Sequence, residues 1–259
     1  MTGPRPHPGL MPKKRAAVPV APTRPAARAP YAADASIPQR GLDAAVAWPD
    51  TGVLLSLHAR GPVDGPGSEY DLPGIFRDRF HRRLRLGERI DKELRGLASS
   101  DDRGADVRNA ASAALQRLRF GDRPVTTQSL DMADVADVEL VKSQLRAVPG
   151  ASQDHRAHQG EAELIVLARK AAARGTAQLL LANDAGASLV ARAHGIPSRH
   201  AADVIAELAC AEPSLTPQGC FRRFRAGDRV SAVPHGCAPS GPDSFTCSRP
   251  TGGACPACE

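Results

Sequence analysis

The sequence predicts an α/β fold, layered around a mainly parallel sheet. Two apolar runs, within 42–48 and at 178–182, have the length and composition of buried strands, and each stops at a carboxylate, Asp50 and Asp184. Between and after them lie stretches with helical spacing of apolar residues. Strands that alternate with helices argue for crossover connections and a parallel sheet.

In chain order, "LDAAVAWPDTGVLLSL" (42–57) reads as a short strand, a turn and an apolar continuation, with Pro49 ending the strand just before Asp50. "GPVDGPGSEYDLPG" (61–74) is a loop dense in Gly and Pro. "IFRDRFHRRLRLGER" (75–89) carries six arginines around Phe76 and Phe80 and reads as a basic amphipathic helix running to Gly87. "RIDKELRGLASS" (89–100) is helical. So is "VRNAASAALQRLRF" (107–120), where Ala111, Ala114, Leu115 and Leu118 share one face. Residues 131–148 give another helix, and "GEAELIVLARKAAARG" (160–175) ends at a glycine suited to a helix C-terminus. The strand 178–182, a helix at 185–194 and a final helix near 201–210 follow.

Charge is unevenly spread. Of 34 Lys/Arg and 28 Asp/Glu, the first 40 residues hold seven bases, one acid and nine prolines. The whole excess of +6 therefore sits in a leader without apolar periodicity, expected to be disordered, while the body is neutral. No run reaches the roughly 20 apolar residues of a membrane span, and the leader lacks the apolar centre of a secretory signal. The expectation is a cytoplasmic protein with one domain at 41–212 and a disordered Cys/Gly/Pro-rich tail at 213–259. All six cysteines lie at or beyond position 210, so no disulfide staples the main body. Cys237, Cys247, Cys255 and Cys258 could form a zinc site, although the first pair is spaced more widely than zinc knuckles are.

Each acid alone has a structural explanation: a helix cap for Asp184, a turn for Asp50, a first-turn charge for Glu161 or Glu163, a solvated helix position for Glu93. Their order suggests more. An acid ends the first strand, a second lies in a middle helix as Glu93-Leu94, a third opens a later helix in "QGEAELIVLA", and a fourth ends the next strand as Asn183-Asp184. With "AGASLVARAHGIPS" after it, this series resembles the PIN-domain family of metal-dependent ribonucleases, in particular a prokaryotic subgroup with a "GEAE" motif and an acid pair. The match spans roughly 44–212 and is most specific over 155–200.

The resemblance implies a three-layer α/β/α fold and a phosphodiester-hydrolysing endoribonuclease acting on single-stranded RNA more readily than DNA. It implies Asp50, Glu161 and Asp184 as ligands of Mg²⁺ or Mn²⁺, with Glu93 a further ligand or the group that orients the attacking water. Glu163, about 200° round the helix, would face away. Thr51, Asn183, Arg82, Arg83 and Arg85 are the expected substrate contacts, and the basic-aromatic segment 220–227 could add phosphate and base contacts. A homodimer or an antitoxin-like protein are the implied protein partners. Pro49 before the acid and Asn183 in place of an acid depart from the family pattern. They motivate the alternative of a PIN-like binding module without efficient catalysis, with a toxin of a toxin–antitoxin pair as a third reading. A single Asp-Thr-Gly also occurs in aspartic peptidases, but the helical body argues against that all-β class.

Overall fold

The computed structural model describes residues 45–60, 71–119, 124–155, 157–212, 214–234 and 236–246. The leader 1–40 and the cysteines at 247, 255 and 258 lie outside these residues.

Strand β1 (Val46–Pro49) is buried at its inward positions, with Trp48 Nε1 donating to Gln178 Oε1 at 2.7 Å. Asp50 then turns the chain into helix α1 (Thr51–His58). The sequence reading of 51–57 as a turn and an apolar continuation is thus corrected: the Asp50 side chain accepts from Val53 N, and the apolar run winds as a helix. Helix α2 (Leu72–Phe80) ends in a 3₁₀ turn (His81–Arg83), and β2 (Arg85–Gly87) follows. The single basic helix expected over 75–89 is therefore broken before the strand. Helices α3 (Glu88–Ser99) and α4 (Ala105–Arg119) lead to β3 (Thr126–Gln128). A capped 3₁₀ turn (Met132–Asp134) opens α5 (Val135–Arg146), then come α6 (Gln159–Ala172) and β4 (Gln178–Leu181). Helix α7 (Ala185–Ala193), β5 (Ser198–Arg199), α8 (Ala201–Ala211) and α9 (Pro217–Val230) complete the described elements.

All strand pairs are parallel. The β1-β4-β5 and β2-β3 sheets are joined by a bridge from Ala47 to Leu84, so the strands run in the order β3-β2-β1-β4-β5. The chain moves outward from β1 to β3, then returns to β1's other side at β4. Right-handed crossovers in opposite directions place their helices on opposite faces of a sheet. Accordingly α1 packs with α4 and α9, while α5 packs with α6 and α7, giving a three-layer α/β/α arrangement. Trp48, Leu86, Leu164, Leu179–Leu181 and Ile205 lie in one continuous buried core.

The boundary expected at 212 is also corrected. Helix α9 is capped by Thr216, which accepts from Gly219 N at 3.1 Å, and it buries Cys220 and Phe224. Phe245 packs against Phe221 and Phe224 at 6.5 and 6.2 Å between ring centres. Against α1 the backbones nearly touch, since a Cβ on Gly227 would lie 2.5 Å from Ser56 O. Only glycine fits there. Residues 214–234 and 236–246 belong to the folded body.

Candidate functional site

The chain reverses direction across the sheet between β1 and β4. In open parallel sheets, ligands bind outside the carboxyl ends of the strands at such a reversal. The residues ending β1 and β4 are Asp50 and the pair Asn183-Asp184.

Asp50 is buried, 5 % exposed, with both oxygens engaged. Oδ1 accepts from Val53 N at 2.6 Å and Oδ2 from Asn183 N at 3.3 Å, which ties the two strand ends together. Burial, with the charges of Glu161 and Asp184, pushes its carboxyl up to about 8 against the lowering effect of those amide bonds. Asp184 caps α7, accepting from Ala187 N at 2.6 Å. Glu161 stands in the first turn of α6. Burial raises its carboxyl above the ordinary range, and Glu93 and Asp184 raise it further.

Glu93 reaches the same rim from α3. Its Oε2 accepts from the Thr51 hydroxyl at 2.7 Å and its Oε1 from Arg89 Nε at 3.1 Å. Gly160 explains how α6 approaches so closely, since a Cβ there would lie 3.0 Å from Glu93 Oε1. The glycine of "GEAE" leaves room for a carboxylate from another helix.

The four expected acids therefore meet on one rim, each within the electrostatic reach of at least one other. They form an open cluster: among the described residues, no three His, Cys, Asp or Glu side chains enclose a cation as they stand. The donor set is hard carboxylate oxygen, suited to Mg²⁺ or Mn²⁺. Burial first, and the neighbouring acids after it, favour the protonated forms of Asp50 and Glu161.

The expected substrate contacts fare differently. Asn183 is buried and committed: Nδ2 donates to Ser56 Oγ at 2.9 Å and to Ser231 O at 3.1 Å, and Oδ1 accepts from Ala201 N at 2.9 Å. It joins α1, α8 and α9 and leaves no group for a ligand. Thr51 lies on the rim, its hydroxyl turned to Glu93. Arg82, Arg83 and Arg85 lie at the opposite, amino edge of the sheet. Arg83 donates to Ala45 O, just before β1, and to Arg79 O, while Arg85 begins β2 and donates to Arg82 O. Arg89 does reach the acids, through Glu93.

The rings of the basic-aromatic segments turn to the core, with Phe221 only partly buried. Phe76 and Phe80 pack on each other at 5.1 Å, and Phe224 is buried. Of the proposed zinc ligands, Cys237 is half-buried with a free thiol, and the other three lie outside the described residues.

Sequence reasoning missed His158. Just before the acid-bearing helix it adopts φ 64, ψ 12, the only non-glycine with positive φ among the described residues. Its Nε2 is buried without a hydrogen-bond partner, and its charge acts on Glu161. Strained backbone and an orphaned polar atom are features that folds retain at functional sites. Nothing in the residue string "AHQGE" signals that conformation.

No family model matches this chain, and comparison with curated proteins and with solved structures finds no match either.

Proposed function

We propose that this protein is a Mg²⁺- or Mn²⁺-dependent nuclease of the PIN-like kind, hydrolysing phosphodiester bonds in single-stranded RNA in the cytoplasm. The observation that carries the reading is the gathering of Asp50, Glu93, Glu161 and Asp184 at the strand-order reversal, with Asp50 pushed up to about 8. Burial, with the neighbouring acids, holds two of the four high.

Asp50, Glu161 and Asp184 would hold the metal, which supplies a Lewis acid that offsets the negative charge of a phosphodiester under attack. Glu93 is the residue placed to act as base. Thr51 and Arg89 fix its carboxylate, yet about a third of the side chain stays exposed. It would take a proton from a water as that water's oxygen bonds to phosphorus and the bond to the leaving ribose oxygen breaks. Asp50 and Asp184 are both fixed by backbone amides at helix starts.

The open spacing of the acids and the structural commitment of Asn183 favour a second reading, a PIN-like nucleic-acid-binding or protein-binding module without efficient catalysis. An antitoxin-like partner or a homodimer belongs with either reading. The deciding experiment is cleavage of end-labelled single-stranded RNA with Mn²⁺ or chelator, beside Asp50→Asn and Asp184→Asn. Cleavage that requires Mn²⁺ and vanishes in both variants supports the nuclease. Folded protein that never cleaves leaves the binding module.

A further inference from the structure

Next to the acid rim, a groove of about 310 Å³ lies between the first turns of α3 and α6 and the segment from Leu130 into α5. Val138 and Leu130 form its apolar lining. Met132 and Val135 edge it, 88 % and 51 % exposed, a large apolar surface to leave in water beside charged groups. Arg89 belongs to both places, lining the groove while its Nε donates to Glu93. Arg89 thus links the groove to the acid rim.

The polar groups define the occupant. Four carboxylates, Glu88, Asp131, Glu139 and Glu163, line it with two cations, Arg89 and Lys92, while Lys142 and Lys170 reach Glu139 and Asp131 from beside it. Carboxylate oxygens on the lining accept hydrogen-bond donors. Although Glu88 already pairs with Lys92, Glu139 with Lys142, and Glu163 with Gln159, a carboxylate has about four acceptor positions, so capacity remains. Adenine and cytosine carry exocyclic amino donors, while uracil presents carbonyl oxygen at the matching position. Methionine sulfur packs favourably on aromatic rings, and a volume near 300 Å³ lies at the small end of ligand pockets. A base can turn its edge into such a groove only from an unpaired strand.

We propose that this groove binds one unpaired, amino-bearing nucleobase flanking the phosphodiester at the acid rim, and so selects adenine or cytosine over uracil at that position. The proposal rests on the nucleic-acid reading of the acid rim given above.

The test is equilibrium binding of fluorescent hexamers of adenylate, cytidylate and uridylate to the full-length protein in Ca²⁺, beside Met132→Glu, Val135→Glu and Asp50→Asn. Met132 and Val135 are exposed, so these changes leave the core alone. The expected result is adenylate and cytidylate bound about fivefold more tightly than uridylate, one hydrogen bond's worth. That preference should be lost in Met132→Glu and Val135→Glu and kept in Asp50→Asn. Equal affinities, a preference that survives both groove variants, or no binding of any hexamer overturns the groove. The Mn²⁺ cleavage assay is read separately. A base preference in a protein that never cleaves removes the nuclease and keeps the groove, whereas cleavage without base preference does the reverse.

Discussion

At the residue scale, Asp184 has two duties that one substitution separates. Asparagine caps a helix about as well as aspartate, so Asp184→Asn should keep the fold and its melting temperature. It removes a charged oxygen from the rim, so the thermal stabilisation that Mn²⁺ gives the parent should fall sharply. A variant that unfolds would return Asp184 to a purely structural role. His158 offers the converse experiment. Glycine adopts φ 64 without the side-chain penalty, so His158→Gly should raise stability by about 1 kcal/mol in denaturant melts. If it also weakens Mn²⁺ stabilisation, the strain serves the site. A loss of stability would mean that the imidazole packs more usefully than its orphaned nitrogen suggests. Residue types and spacing made the four acids legible in the sequence. They did not reveal that Asn183 faces inward or that His158 is left-handed, because both depend on neighbours more than twenty positions away or on backbone geometry.

At the element scale, the strand-ending carboxylates and the long helices α4, α5 and α6 were legible because each repeats an apolar spacing over three turns or more. Strands β2 and β3 were not. Each has three residues, too few to show alternation, and β2 follows an arginine-rich stretch that reads as helix. The sheet context decides: Leu86 is buried, and Gly87 lets Leu164 approach to 3.0 Å of where a Cβ would be. Helix α9 was hidden differently. Its phenylalanines and arginines read as a nucleic-acid surface, while in the structure the rings face α1 and the 3₁₀ turn at Pro242–Phe245. The α1–α9 seam gives a direct test. Gly227→Val would press side-chain carbons onto Ser56 O, where the first Cβ already lies 2.5 Å away. A cost of about 3 kcal/mol or more is expected, since backbone cannot yield as a side chain does. A near-neutral melt would mean that α9 packs loosely.

At the scale of the whole molecule, the buried ionisable groups set how stability follows pH. Asp50 is raised from 3.8 to about 8, so its contribution is full below its ordinary value and is lost as pH rises through 8. His58 is lowered from 6.5 to about 4 by burial, so its contribution is full above 6.5 and is lost as pH falls through 4. Between pH 4 and 6.5 the two oppose each other. From 6.5 to 8 His58 no longer counts, and Asp50 makes the metal-free protein less stable by about 2 kcal/mol. Chemical denaturation at pH 6.5 and 8 measures this directly. The slope should vanish in Asp50→Asn and shrink with Mn²⁺, and a flat parent profile would mean that water reaches Asp50.

The strand order also dictates when the molecule can assemble. The central strand is the first of the described strands, yet its partner β4 arrives about 130 residues later, as the Trp48–Gln178 bond records. Ser231, which completes the hydrogen bonds of Asn183, comes 48 residues after that. A chain emerging from the ribosome must therefore hold one edge of β1 unpaired until β4 is made. Distant pairings of this kind slow folding and leave strand edges open to other chains. Newborn copies of this protein should depend on chaperones until the last helix docks, and the acid rim takes its final form only then.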